Sequence, residues 1–139
     1  MNILRKVLHT PFIIKTLWRA ENAIKGKNWE ELAELTTNLH NSGFSMNKTR
    51  FWLGCALINL NQNEEALKEF ERIDGKLNTL EEEAARHWNH TLALYRTNRA
   101  EECYELLMQK IDPYWPTETY TKARNFLTEH GFDAFEIKV

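Results

Sequence analysis

The stretch from Arg50 to Phe70 constrains the fold of this chain more than any other segment, because it has the pattern of two short helices joined by a tight turn. Its small and apolar residues fall at offsets of 0, 1, 4, 13 and 17: Leu53, Gly54, Leu57, Ala66 and Phe70. Gly54 and Ala66 are small enough to let two helix axes approach closely, and the larger side chains fill the space between the helices. The stretch therefore predicts a close-packed helical hairpin.

The same register recurs on both sides of this hairpin. The pairs equivalent to its two small residues are Ala20 and Leu32, 34 residues upstream, and Thr91 and Cys103, 37 residues downstream. Two glutamates precede the second position of each pair, in the first turn of each second helix, where carboxylates are favourable: Glu30-Glu31, Glu64-Glu65 and Glu101-Glu102. The turns contain residues that include asparagine, which tolerates left-handed backbone: Lys27-Asn28, Asn61-Gln62-Asn63 and Asn98. The chain is therefore predicted to contain three hairpins.

These positions resemble the Leu-Gly-x-x-Tyr and Ala-x-x-x-Phe elements of the tetratricopeptide (TPR) family, over about residues 11–115. The resemblance implies an all-α fold, a right-handed superhelical array of about three TPR-like helix hairpins plus a C-terminal capping helix. It divides the single domain, residues 1–139, into an N-terminal arm or short helix, three repeat units, a capping helix and an apolar tail: 1–10; 11–45, 46–78 and 79–115; 116–131; and 132–139.

Composition limits the classes of protein to which this chain can belong. Its 139 residues suffice for one domain with a core, and the 42% hydrophobic and 12% aromatic content excludes a disordered chain. A net charge of −2 gives no footprint for nucleic-acid binding, and no apolar run is long enough for a transmembrane segment. Cys55 and Cys103 fall on helices of the predicted interior, which indicates reduced thiols and a cytoplasmic location.

The N-terminal segment can be interpreted in three ways. Apolar residues at helical spacing alternate with Arg5 and Lys6, and no acidic residue occurs before Glu21. Such a segment fits a targeting presequence, a helix on a membrane surface, or a short helix packed on the first unit, and we expect the last. Thr10 and Pro11 predict the cap and the first residue of the next helix. That helix has a broad apolar face: Ile13, Ile14, Leu17, Trp18 and Ile24.

Capping residues predict where the later helices begin. Asn28 with Glu31, and Thr79 with Glu82, have the spacing of capping boxes. Ser45 is placed to cap the third helix. These signals set the expected starts of the second, third and fifth helices.

No pattern in the sequence supports an enzyme, a metal site or a cofactor. His87 and His90 lie three residues apart on one predicted helix and could share a metal ion, but two ligands do not make a site. Neither a nucleophile with its base nor a glycine-rich phosphate loop can be recognised. We therefore expect a protein without catalytic residues and without a bound cofactor.

In the family that the chain resembles, the first helices of the units line a concave groove that holds a peptide or a partner helix. The resemblance assigns partner binding to residues of the first, third and fifth helices: Leu17, Lys48, Phe51, Asn59, Trp88, Asn89, Leu92, Tyr95 and Arg96. An apolar and aromatic strip with basic residues at its edges suits an apolar peptide or an amphipathic helix. The resemblance thus implies a protein-interaction module, adaptor or chaperone-like, for a protein or peptide of unknown identity.

Two related functions are alternatives to this one. Some TPR proteins grip a C-terminal carboxylate, but the matching positions here lack the required residues: Leu17, Glu21, Trp52, Ala85 and Asn89. A clamp for chaperone peptides is therefore not expected. The alternative function is a self-associating structural protein that buries the apolar strip or the C-terminal tail in a homodimer.

Overall fold

The computed structural model describes residues 3–110 together with Glu118, Thr121 and Asn125, and excludes the side chains of residues 3–9, 104, 107 and 108. Six helices follow one another within residues 3–110: α1 Ile3–Lys25, α2 Trp29–Asn41, α3 Asn47–Asn59, α4 Asn63–Glu71, α5 Leu80–Arg96 and α6 Ala100–Lys110. These described residues form no strand, and the predicted all-α class is confirmed. The expected capping helix and apolar tail lie outside the described residues, apart from the three isolated positions.

Each helix packs against the next helix in the chain, and α3 also packs against α5. Two apolar clusters lie between the helices. The N-terminal cluster joins α1, α2 and α3: Ala20, Ala23, Leu32, Leu35, Trp52 and Ala56. The central cluster joins α3 to α6: Leu53, Leu57, Ile58, Ala66, Leu67, Phe70, Ile73, Ala93, Leu94 and Cys103. The core is therefore continuous along the chain rather than centred on one point.

All positions of the recurring register are buried: Ala20, Leu32, Gly54, Ala66, Thr91 and Cys103. Gly54 makes the closest approach, because a Cβ atom added there would lie 2.6 Å from Cε1 of Phe70 and 2.7 Å from its Cζ. The Phe70 ring fills the space that the missing side chain leaves. The predicted role of Gly54, to let α3 and α4 pack closely, is confirmed.

The turns inside the three hairpins have the same geometry. Each has one left-handed residue, at a φ of 53° for Lys27, 60° for Asn61 and 61° for Asn98. The next residue donates its N–H to the carbonyl five positions earlier: Asn28 to Ala23, Gln62 to Leu57 and Arg99 to Leu94, at 2.8, 2.9 and 2.9 Å. This is the hydrogen bond of a Schellman motif. The turns are spaced by the same 34 and 37 residues as the buried register positions.

Lys27→Gly is expected to raise the free energy of unfolding by about 0.5–1 kcal/mol, because glycine adopts a positive φ without the clash of a Cβ atom. Lys27 is exposed, so its side chain has little packing to lose. Asn61→Gly is the matched control and should have a smaller effect, because asparagine already tolerates this backbone. Urea unfolding followed by circular dichroism measures the unfolding free energies of both variants. A Lys27→Gly protein less stable than wild type would contradict the left-handed backbone at Lys27.

The predicted caps at Asn28 and Thr79 are confirmed, but at Asn28 the reciprocal half of the predicted capping box is replaced, because the Asn28 N–H is donated to the carbonyl of Ala23 at 2.8 Å. Asn28 Oδ1 accepts the N–H of Glu31 at 3.2 Å, and its Nδ2 donates to the Glu31 carboxylate at 3.1 Å. Thr79 Oγ1 accepts the N–H of Glu82 at 3.1 Å. Both side chains therefore satisfy backbone donors that a helix start leaves unpaired.

Two predicted helix starts are wrong. The first helix begins at Ile3 and contains Pro11 in its interior. An interior proline removes one intrahelical hydrogen bond, which a long helix can absorb with a kink. The cap of α3 is Met46 rather than Ser45. Buried Thr49 holds this start in place, because its Oγ1 accepts the N–H of Met46 at 3.1 Å and donates to the Met46 carbonyl at 3.0 Å.

The connector between α4 and α5 is held by one buried carboxylate. Glu83 Oε1 accepts the N–H of Leu77 at 2.7 Å and Nη1 of Arg86 at 2.9 Å. Arg86 Nη1 also donates to the carbonyl oxygen of Gly75 at 2.7 Å. Burial alone would raise the Glu83 pKa, but the Leu77 N–H and Arg86 bring the pKa below its usual value. This network orders the connector that separates the second and third hairpins.

Candidate functional site

Five of the predicted partner-binding residues are apolar, and we call them the first-helix strip: Leu17 of α1, Phe51 of α3, and Trp88, Leu92 and Tyr95 of α5. All five are partly buried. Leu17 packs against the N-terminal cluster, the α5 residues pack against the central cluster, and Phe51 packs against both. The core therefore supports each side chain from one side while part of its surface stays accessible.

The polar members of the predicted site divide between the two ends of α3. Lys48, near the start, places Nζ 5.6 Å from the centroid of the Trp52 ring, a cation–π distance. Asn59, at the end, is exposed and donates to the carbonyl of Cys55 at 2.8 Å. A rise of about 1.5 Å per residue puts the two backbone positions roughly 16 Å apart. The helix itself therefore keeps Lys48 and Asn59 apart.

Arg96 joins the ends of α3 and α5. Its Nη1 donates to the carbonyl oxygen of Ile58 at 3.4 Å, while much of the residue stays exposed. A cation beside the last carbonyls of a helix is favourable, because these groups carry partial negative charge. Asn89, in the middle of α5, donates to the Ala85 carbonyl at 2.8 Å. The structure therefore brings Arg96 close to the Asn59 end of α3.

The two histidines of α5 are held in their neutral form. Burial lowers the pKa of His87 to about 4, and burial also lowers the pKa of His90 to about 4. His87 Nε2 lies 3.4 Å from Oε2 of Glu83, and the His90 ring stacks on Phe70 with centroids 5.8 Å apart. Within the described part of the chain, no three His, Cys, Asp or Glu side chains are grouped to hold a metal ion. The surroundings of both rings are those of packed side chains.

Both cysteines are free thiols. Burial raises the pKa of Cys55 to about 12 and that of Cys103 to about 11. A thiol is nucleophilic as the thiolate, so both are poorly reactive near neutral pH. Cys103 is fully buried in the central cluster, which confirms its predicted place in the interior.

One exposed apolar surface lies where the sequence predicted only a broad apolar face on the first helix. Ile14 is 62% exposed and Trp18 is 64% exposed. With Pro11 and Lys15 they form what we call the α1 outer face, which lines an open cleft of about 840 Å³ together with Thr10. The signal in the sequence was the extra width of this apolar pattern, since one face of α1 already packs on the N-terminal cluster.

No family model, curated protein or solved structure matches this chain. Among the described helices, none combines the length and the apolar character that crossing a membrane requires. A function for this chain must therefore be inferred from the geometry of its own surfaces.

Proposed function

We propose that this chain is a non-enzymatic protein-interaction module, adaptor or chaperone-like, whose first-helix strip binds a peptide or a helix of a partner protein. The proposed architecture is a right-handed TPR-like array of three hairpins, α1–α2, α3–α4 and α5–α6. The support for this architecture is the repetition within the chain. Three turns of one geometry and three pairs of buried register positions recur at the same spacing. A repeated hairpin that buries its apolar side on its neighbours is the construction principle of such arrays.

The observation that supports this function is that the core holds the strip in place while part of the strip stays accessible. Its aromatic members, Phe51, Trp88 and Tyr95, are fixed by packing on the core yet are only partly buried. Tryptophan, tyrosine and arginine are the residues that contribute most often to binding hot spots. Exposed Arg96 lies at one end of the strip and can pair with a carboxylate there. The strip therefore fits an apolar segment that carries an acidic residue near the Arg96 end.

Site-specific photocrosslinking tests this proposal. A benzophenone amino acid is placed at exposed Asn59, beside the strip, and at exposed Lys68 on α4 as the matched control. A partner of the strip should be captured from position 59 and not from position 68. Trp88→Ala should then weaken the binding of the identified partner by roughly 2 kcal/mol, or about thirtyfold in Kd. Arg96→Glu should weaken it as well, because the charge at that end is reversed.

The expected outcome requires that the variants remain folded, which circular dichroism and thermal unfolding verify. Equal capture from both positions, or a Kd unchanged by Trp88→Ala and Arg96→Glu in folded protein, would place the binding surface elsewhere. Light scattering distinguishes this function from the alternative, a structural protein that associates with a second copy of itself. A stable homodimer that Trp88→Ala dissociates would mean that the strip binds a second copy of the chain rather than another protein.

A further inference from the structure

The α1 outer face is a second apolar surface, distinct from the first-helix strip. Thr16 and Ala20 point toward the core and are buried, whereas Ile14 and Trp18, on the other side of the same helix, are mostly exposed. Helices of soluble proteins usually cover one apolar stripe and present polar residues on the opposite face. Both sides of α1 are apolar over residues 11–18, so the exposed side requires its own explanation.

The internal repeat identifies what belongs on this face. Trp18 lies 34 residues before Trp52, which is the spacing of the first two hairpins, and the two positions carry the same residue type. Trp52 is only 8% exposed, because it lies in the N-terminal cluster with Leu32 and Leu35 of the preceding second helix, α2. Trp18 has no preceding second helix in residues 3–110 and is 64% exposed. The α1 outer face thus corresponds to the surface of α3 that α2 covers.

The spacing along α1 also favours a helix as the occupant. In the sequence, apolar residues recur at alternating intervals of three and four residues: Leu4, Val7, Pro11, Ile14 and Trp18. This is the pattern of a seam between two helices. The spacing therefore fits a second helix that lies along α1.

The basic charge of α1 before Glu21 indicates that the helix bound there is acidic. The charged side chains of α1 in this segment are all basic: Arg5, Lys6, Lys15 and Arg19. Arg19 already pairs with Glu31 of α2 at 3.3 Å, so a basic residue of α1 and an acidic residue of a second helix do meet in this molecule. Two copies of the face would repel each other, because both are basic. An acidic helix complements the face and resembles α2, which begins with glutamates.

We propose that the α1 outer face is a docking surface for an acidic amphipathic helix of a partner protein, seated on α1 as α2 is seated on α3. The repeat equivalence of Trp18 and Trp52 supplies the template for this packing. Lys15, which lines the cleft and is exposed, supplies the selectivity for acidic partners. This surface is separate from the first-helix strip, so the two proposals can fail independently.

The experiment uses the full chain and a peptide probe of known packing, residues 28–42, which contain α2 with its cap. The peptide carries a fluorescein label, and its anisotropy is followed as the full chain is added. We expect saturable binding with a Kd in the range of tens to hundreds of micromolar. Trp18→Ala should weaken it at least tenfold, and Lys15→Glu several-fold. Both residues are exposed, so neither substitution removes core packing.

Two controls make the result specific. A scrambled peptide of the same composition should not bind, and Trp88→Ala, which alters the first-helix strip, should leave the Kd of the peptide unchanged. Absence of saturable binding, or a Kd that Trp18→Ala does not change, would overturn the proposal. Trp18-dependent binding to phosphatidylserine vesicles without peptide binding would assign the face to a membrane surface. A dimer in sedimentation that Trp18→Ala dissociates would assign it to a second copy of this chain, and either result overturns the partner-helix proposal.

Discussion

Phe70→Ala is expected to lower the free energy of unfolding by about 3–5 kcal/mol, because it leaves a cavity at the centre of the core. Phe70 is 1% exposed, belongs to the central cluster, and contacts the backbone of α3 at Gly54 on one side and the His90 ring on the other. Urea unfolding followed by circular dichroism measures the loss. Phe12→Ala is the matched control, since Phe12 is 44% exposed and should contribute less than about 1 kcal/mol.

The contact with Gly54 makes the same prediction more specific. Gly54→Ala adds a methyl group at 2.6 Å from a buried ring, and overpacking of about 1–3 kcal/mol should outweigh the gain of about 1 kcal/mol in helix propensity. In a Phe70→Leu background the ring is gone, and Gly54→Ala should become neutral or stabilising. The double-mutant cycle should give a coupling of about 1 kcal/mol or more. Additive effects, or a Phe70→Ala protein as stable as wild type, would refute this account of the crossing.

Acidification from pH 6.5 to pH 4 is expected to destabilise the fold by about 1–2 kcal/mol for each of His87 and His90, after allowance for partial solvent screening. The folded pKa of each histidine is about 4, below the ordinary value of 6.5, so the unfolded chain binds protons more strongly in this range. Stability therefore rises with pH up to about 6.5. Glu83 acts in the same direction, because its lowered pKa favours the folded state until the carboxylate is protonated.

His90→Phe isolates the contribution of one ring. Phenylalanine can keep the stacking on Phe70 but cannot accept a proton, so the stability of the variant should depend less on pH between 6.5 and 4. The charged groups that influence His90 are Arg86, Arg99 and Glu102, together with His87, and all are retained in the variant. Unfolding free energies at intervals from pH 4 to pH 8 measure the difference. A wild-type curve that is flat below pH 6.5, or identical curves for the two proteins, would contradict the prediction.

Much of the fold could be predicted from the sequence because its determinants are local. Asn61 and Asn98 tolerate the left-handed turn, and Gly54 permits the close crossing with Phe70, wherever the neighbouring hairpins lie. The start of α3 could not be predicted in the same way. Ser45 satisfies the local rule for a cap, but the cap is Met46, whose N–H is accepted by Thr49 Oγ1. Thr49 is buried and its Oγ1 lies 3.0 Å from Nε2 of His40 on α2, so tertiary packing, which a local pattern does not contain, contributes to this start.

The candidate site was predictable only in part. Periodicity and family resemblance identified the helices that carry Phe51, Trp88 and Tyr95, and these side chains are partly buried beside the core. Periodicity could not distinguish Trp18 from Trp52, because both stand on apolar helices at equivalent positions. Their exposure differs because α2 covers Trp52, whereas the described residues include no helix before α1 that could cover Trp18. Whether a side chain is exposed depends on which helix packs beside it, and a local stretch of sequence does not contain that information.

The order in which the helices pack has a mechanical consequence. Within the described residues, α1 has close backbone contacts with α2 only, whereas α3 has them with α2, α4 and α5. Tension applied at the two termini would load the hairpins in series, since each is tied chiefly to its chain neighbours. The molecule should extend stepwise under such a load, with α1 separating before the α3–α4 hairpin does.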